Sequence, residues 1–455
     1  VNGMVYMRGH PEDFNEWARR GNEGWGWDDV LPYFRKSEAN SRGASADHGA
    51  DGPMGISDPL LRSPTVEAYI EAAQRCGVPR TRDHNAPPFE GIDFHQHAIR
   101  NGERESSYTA FIKPVLHRPN LKVLRNAQVL RVVIEGGEAT GVEVVENGSR
   151  RMIAARCEVV LSAGSLNSPH LLMHSGVGPA AMLARHGVSV VADRPGVGQN
   201  LQDHWFAPLI WRTTPEGSFN RYISGFRKYL TGLHYLLARR GVLAISASHS
   251  AAFVRSSPEL ARPDLQMVLR PVSYTFHPKG AVIVDSFPGV SAGVVLLNPR
   301  SRGHVEMASP DPLQPPAFHP NYLSEESDAV RTLVGVRKMR EIMATEPLAS
   351  CIEAEIMPGP QASTDEQLIE HLRTVGNCGW HQVGTCRMGP DPLAVVDARL
   401  RVYGVQRLRV ADGSVMPNIT SGNTNAPCVM IGEKAADLIK QDLLHHGGVQ
   451  NRRRA

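Results

Sequence analysis

The chain has 455 residues, 41% hydrophobic and 21% charged, which is enough to bury a large core in two or three domains or one interwoven pair. Its 49 basic and 46 acidic residues leave a formal charge of only +3, which argues neither for nucleic acid nor for an anionic membrane surface, and no nucleic-acid partner is expected. No uncharged apolar run reaches the about 18 residues of a transmembrane helix, and six scattered cysteines without a CxxC exclude a disulfide framework, so the expected setting is reducing: cytoplasmic, or peripheral to a membrane.

In chain order, residues 9–40 read as two short helices, the second capped by Asp28, and 40–53 is a loop by composition. Val66, Tyr69, Ile70 and Ala73 fall at helical spacing between Thr65 and Cys76, with Gly77 as the stop. From 121 to 162 the period becomes two. LKVLRN, VLRVVIEGG, ATGVEVVENG and EVVLSAG predict strands, with Gly136-Gly137 and Asn147-Gly148 as hairpin turns. The last strand feeds GSLNSPHLLMHSGVG (164–178), where Ser168 before Pro169 predicts a helix start. A strand, a glycine turn and a helix in that order suit close approach of a nucleotide.

Residues 205–370 read as a second, mixed unit. FRKYLTGLHYLLARRG (226–241) is an amphipathic helix with Phe226, Leu230, Leu233, Leu236 and Leu237 on one side, expected to pack on a core rather than on a membrane surface. LQMVLRPV and GVVLLN are apolar runs suited to buried strands. Ser324 predicts the start of a helix running to about Thr345, and Thr364 with Gln367 a capping box. A strand LRVAD, a polar turn and a helix from Pro427 to Leu444 close the chain, with 447–455 expected to be a disordered tail.

Six motifs occur in one order: VNGMVYMRG (1–9), GSLNSPHLLMHSGVG (164–178), GVGQNLQDH (196–204), NPRSRGHVEM (298–307), HQVGTCRMG (381–389) and RVADGSVMP…GNTNAP (409–427). Together they resemble the glucose–methanol–choline (GMC) oxidoreductase family, and within it the choline and aliphatic alcohol dehydrogenase branch. The resemblance implies an α/β fold with mixed α+β character. An interrupted Rossmann-like FAD domain would be drawn from 1–35, 121–204 and 371–446. Residues 36–120 would form a lid and connecting region, and 205–370 a substrate domain with an antiparallel sheet and helices.

It also implies oxidation of a primary alcohol to the aldehyde. A base takes the hydroxyl proton and a hydride passes to flavin N5, with a quinone, an electron-transfer protein or oxygen as the final acceptor. Histidine suits the proton because its pKa lies near working pH, whereas no side chain can take a hydride. By resemblance the base is His381, between Gly379 and Gly384, where small residues leave room for a ligand. Asn425 takes the family's second active-site position, and alone would read as a helix cap. The implied cofactor contacts are Asn2, Gly3, Val129, Ser162, Ala163, Gly164, Asp412, Gly413, Asn425 and Pro427. Valine at position 1 stands where some choline oxidases carry a flavin-linked histidine, so FAD is expected to be non-covalent.

A zinc reading of Cys378, His381 and Cys386 lacks a fourth ligand, and no metal is expected. The family's strand–GxGxxG–helix unit does not occur in the sequence, so the chain by itself is expected to bind FAD poorly. The reading of another class is a fragment or binding protein without turnover; an oxygen-using alcohol oxidase is the alternative among enzymes.

Overall fold

The computed structural model describes residues 3–276 and 282–452. The two predicted N-terminal helices are α1 (Pro11–Arg19) and α2 (Trp27–Ser37). α2 begins two residues earlier than Asp28 would set, because Gly26 is the cap and the Asp29 carboxylate returns to its backbone N–H. The loop after α2 is knit around buried charge: the Glu38 carboxylate meets Arg8 at 2.5 Å and His48 at 2.9 Å, and His48 also meets Asp83 at 3.0 Å. Burial opposes protonation of His48, but the hydrogen bonds to Asp83 and Glu38 overcome it and raise its pKa to about 9. α3 (Pro64–Arg75) follows, then a short strand β1 (Gly91–Phe94).

The run 121–126 forms no strand; it is mostly exposed and has no ladder partner among the described residues. The predicted hairpins form a three-stranded antiparallel sheet of β2 (Ala127–Glu135), β3 (Glu138–Glu146) and β4 (Ser149–Ala154). Both turns need left-handed backbone, which Gly136, Gly137, Asn147 and Gly148 supply. β5 (Val159–Leu161) leads into α4 (Gly164–His174), which starts at the glycine turn rather than at Ser168, so Pro169 lies inside its first turns.

The second unit is built on a seven-stranded antiparallel sheet. Its members are β1, β6 (Trp205–Thr213), β7 (Ser250–Val254), β8 (Leu265–Arg270), β9 (Gly289–Leu296), β10 (Ile352–Met357) and β11 (Asn377–Cys378). The order is β10-β6-β9-β8-β7-β1, with β11 also on β6. It therefore draws an edge strand from the region read as lid and another from beyond residue 370. Alternation sets its faces. Ala207, Leu209, Trp211, Met267, Leu269, Ala292 and Val294 pack into one core with α3 and α6 (Glu326–Met343), while Phe206, Val268 and Val295 belong to the other side. The capping box of Thr364 and Gln367 opens α7 (Asp365–Val375).

The amphipathic segment forms α5 (Arg227–Ala238), but its apolar side faces outward. Phe226, Tyr229, Leu230, Leu233, Leu236 and Leu237 are 53–79% exposed, and no residue of the helix is buried. Thr231 and Tyr235, on the opposite side, hold it down through hydrogen bonds to the Tyr222 and Gly102 carbonyls. Periodicity identified an apolar face; it did not say which way the face would point.

The closing strand β12 (Leu408–Val410) pairs in parallel with β5, Leu408 opposite Val159. α8 (Asn425–Arg452) opens two residues before Pro427 and continues into the stretch read as a tail, whose last three residues lie outside the described ones. Tyr6, Phe14, Trp17, Leu161, Leu172, Val410, Met430 and Ile431 share the core of this half.

Candidate active site

His381 sits in the loop after β11, and three contacts fix it. Its backbone N–H donates to Asp203 Oδ1 at 2.8 Å, Nδ1 meets His204 Nδ1 at 2.8 Å, and Nε2 meets the Asn423 amide nitrogen at 2.9 Å. Gly379 and Gly384 serve this loop by close approach to the 200–204 segment: a Cβ on Gly379 would lie 2.6 Å from the His204 carbonyl oxygen, and one on Gly384 2.5 Å from that of Asn200. The loop is stitched to the nucleotide-type half by Ser165 Oγ donating to the Gln382 carbonyl at 2.7 Å and Cys386 N–H to that of Ser414 at 2.8 Å.

The tautomers follow from the far end of the chain of rings. His204 Nε2 lies 2.9 Å from the Leu297 carbonyl oxygen, which can only accept, so Nε2 carries the hydrogen. Burial lowers the His204 pKa to about 4, so the ring is neutral and its Nδ1 must accept. His381 Nδ1 therefore donates, and His381 Nε2 is the accepting nitrogen, taking an N–H from the Asn423 amide at 2.9 Å. Burial, and secondarily His204, hold the His381 pKa well below its usual value. Asp203 is pushed the other way by burial, although Tyr322 donates to it at 2.6 Å and Gln382 at 3.0 Å.

Asn423 is the amide that meets His381. Residues 421–424 form the turn before α8 and swing 423 toward the histidine, while Asn425 is the first residue of the helix. Asn423 Oδ1 is buried without a hydrogen-bond partner, an open acceptor beside the Nε2 lone pair. His381 and Asn423 line a cavity of about 160 Å³ with Phe206, Gln266, Arg270 and Trp380.

The remaining expected cofactor residues fall around the β5–β12 pair. Ser162, Ala163 and Val129 line a second cavity of about 500 Å³. Gly164, at φ +84°, has open space where a Cβ would point. Asp412 is occupied as a brace: one carboxylate oxygen accepts from Gly164 N–H at 2.9 Å and Ser168 Oγ at 2.5 Å, the other from Ser414 N–H at 2.8 Å. It thus also caps the short turn that includes Gly413. Gly3 lies open, its carbonyl accepting from Ser246 at 2.6 Å, and Pro427 is buried in the first turn of α8. Asn2 lies outside the described residues. Open strand-end glycine, an adjoining cavity and an orphaned amide oxygen together fit a bound flavin nucleotide.

Cys378 lines the small cavity, whereas Cys386 is fully buried in the core, so the zinc trio is not a cluster. On a neighbouring hairpin His304, Glu306 and His319 bring ligand atoms within 4.8 Å of one another, a grouping that periodicity did not single out. Sequence reasoning also missed His204, Asp203 and Arg270. The first two stood at the end of GVGQNLQDH, where the paired acid and imidazole were a signal.

Family models described as GMC oxidoreductase match residues 1–206 and 299–432. The chain is 41% identical over 441 residues to an oxygen-dependent choline dehydrogenase of Sinorhizobium medicae, covering 96% of this chain and 80% of that protein. It is 40% identical, at the same coverage, to one of Brucella anthropi. Among solved structures, pyridoxine 4-oxidase from Mesorbium loti superposes with a TM-score of 0.84 at 31% identity, over 96% of this chain and 82% of that one. A formate oxidase of Aspergillus oryzae RIB40 does so at 0.89 and 26%, over 97% and 83%.

Proposed function

This chain belongs to the GMC oxidoreductase family, FAD-dependent oxidoreductases of CH–OH donors, and from that premise we propose that it oxidises a primary alcohol to the aldehyde with His381 as general base. The observation that carries the proposal is the lone pair on His381 Nε2, held in place two hydrogen bonds away by the Leu297 carbonyl. Non-covalently bound FAD supplies the acceptor for the α-hydride. The substrate hydroxyl displaces the Asn423 N–H from His381 Nε2 and gives its proton to that nitrogen, and the freed Asn423 N–H donates to the substrate oxygen and stabilises its developing charge. His204 keeps Nδ1 of His381 in the donating role, and Asp203 pins the backbone so that the ring cannot swing.

The choline of the relatives' names and simple aliphatic primary alcohols are the starting substrate classes. Quinone, an electron-transfer protein or oxygen closes the cycle. In flavin-loaded protein His381→Ala should slow anaerobic flavin reduction about 10²–10⁴-fold while the flavin spectrum is retained. An unchanged rate would refute the role of His381.

A peripheral membrane position is favoured by α5. Its outward apolar crest is flanked by Arg227, Lys228 and Arg240, which have no carboxylate partner among the described residues, and by Arg239, paired with Glu103 at 3.2 Å. No acidic residue occurs between Glu216 and Glu259. This is the charge pattern of a helix lying in an anionic lipid interface. No helix among the described residues is long and apolar enough to cross a membrane. Sedimentation with phosphatidylglycerol vesicles should be lost in Leu233→Glu/Leu237→Glu. Equal sedimentation of that variant, or a concentration-dependent dimer without vesicle binding, would overturn the placement.

A further inference from the structure

The wall of the small cavity is one face of the antiparallel sheet. Gln266, Val268 and Arg270 alternate along β8 toward it, joined by Phe206 from β6 and Val295 from β9. Arg270 is the one formally charged side chain among the lining residues; no aspartate or glutamate is among them. It has no ion-pair partner among the described residues. A single N–H donates to the Tyr274 hydroxyl at 3.1 Å, and the guanidinium lies 4.8 Å over the Phe206 ring. Stacking on Phe206 and the Tyr274 bond set the plane of the fork, while the guanidinium has five N–H donors and among the described residues only one is engaged. A half-buried cation of that kind, in a cavity shared with a base and an open amide oxygen, is a recognition element waiting for an oxyanion.

We propose that Arg270 is an anion subsite of the alcohol site, and that the substrate is a short primary alcohol carrying a carboxylate or another oxyanion, not a quaternary ammonium. The proposal rests on the alcohol-oxidising reading and adds the substrate class to it. A trimethylammonium group needs a carboxylate or uncovered aromatic faces around it. Here the Phe206 face is already covered by a cation, Trp380 is 73% exposed, and a second positive charge would meet Arg270 with no carboxylate among the described lining residues to screen it. A cavity of about 160 Å³ favours a few-carbon chain between the anion and the carbinol. The redox step is untouched: the carbinol loses its hydroxyl proton and α-hydride as before, and the anionic end takes no part in bond making.

The test uses the flavin-loaded enzyme under anaerobic conditions. Flavin reduction is compared for 4-hydroxybutanoate, glycol monophosphate, the neutral 1,4-butanediol and choline. The hydroxy acid should exceed the diol by at least roughly 10–100-fold in kcat/KM, mostly through KM, the span set by one charged hydrogen-bonding partner. Preference for the phosphate over the carboxylate would identify the oxyanion without altering the subsite. Arg270→Gln should bring the hydroxy acid down to the level of the diol, and retained flavin absorbance together with an unchanged melting temperature shows that the variant is folded. Arg270→Lys should recover part of the preference. A non-reducible probe, butanoate, should perturb flavin absorbance in the parent and not in Arg270→Gln, a binding readout that needs no turnover. Choline preferred by the parent, or butanoate binding unaffected by Arg270→Gln, would overturn the proposal. If no alcohol reduces the flavin yet butanoate still binds through Arg270, the alcohol reading fails and the anion subsite stands.

Discussion

The surroundings of the β5–β12 pair and those of β1, β6 and β7 bury ionisable groups in opposite ways. Around β5 and β12 charge is buried in pairs: Arg409 is 4% exposed and meets Glu158 at 2.8 Å and Asp442 at 2.6 Å, and Asp412 is saturated by three donors. Around β1, β6 and β7 the buried groups are neutral rings. His95, His97 and His249 are at or near zero exposure with ring nitrogens that find no partner, and His204 joins them beneath His381. Paired charge fixes backbone where, on the proposed function, N–H groups would meet the cofactor. Neutral imidazole leaves proton-accepting atoms where, on the same proposal, the substrate would be deprotonated. The two halves use buried polarity for different ends, and each should fail in its own way.

The largest effect is expected on the paired side. Asp412→Ala strands the Gly164 and Ser414 N–H groups and the Ser168 hydroxyl, at about 1–3 kcal/mol for each buried donor left unpaired. The outcome is a melting temperature lowered by several degrees together with lost flavin, read by thermal denaturation and by absorbance. A stable, flavin-loaded Asp412→Ala would break the contrast, because the brace would then be dispensable.

Acid should act next, and on the ring side first. Burial lowers the pKa of His97, His204 and His249 to about 4, so the unfolded chain binds protons that the folded chain refuses. Stability is therefore fully present above the ordinary histidine pKa of 6.5 and falls as pH drops toward 4, by up to about 1.4 kcal/mol per pH unit for each such ring. On the paired side Asp442, held down by Arg409 and Arg399 against the opposing effect of burial, keeps its contribution until pH falls below the usual aspartate value of 3.8. Hydrogen exchange at successive pH values should show β6–β8 opening before β5 and β12. Simultaneous opening would merge the two halves into one unit.

The smallest effect sharpens the comparison within the ring side. His204→Leu removes the acceptor that fixes the His381 tautomer while leaving His381 and Asn423 in place. Flavin reduction should slow about 10–100-fold, the size of one lost orienting hydrogen bond, with flavin content unchanged. A rate equal to the parent's would mean that Asp203 alone positions the base.

Much of the paired half was legible because its parts are contiguous. β5, the glycine turn and α4 lie within twenty residues, and the turn chemistry of Gly136-Gly137 and Asn147-Gly148 specifies its hairpins locally. The ring half was not, because its site is assembled across strands. Nothing near Arg270 in sequence announces that it shares a cavity with Trp380 and His381, and that adjacency exists only through the β6-β9-β8 order. The contact of Asn423 with His381, beside the expected Asn425, has a similar origin. A two-residue difference is invisible to motif reading, yet it decides whether an amide belongs to a helix or to the turn before it. The outward crest of α5 is the plainest case, since a periodicity of 3.6 marks a stripe without a direction.

The pairing of β5 with β12 joins residues 159–161 to 408–410. A ribosome releasing the chain from its first residue delivers β5 long before its partner exists. Val159 and Leu161, buried in the finished protein, must wait through some 250 further residues of synthesis, together with the donors that Asp412 will satisfy. The sheet half can close earlier, because six of its seven strands lie before residue 358. The order of assembly is thus written into the topology: the antiparallel sheet can close first, and the β5–β12 pair forms only after residues 408–410 have emerged, so a chaperone that shields nascent chains has its longest task at the β5 edge.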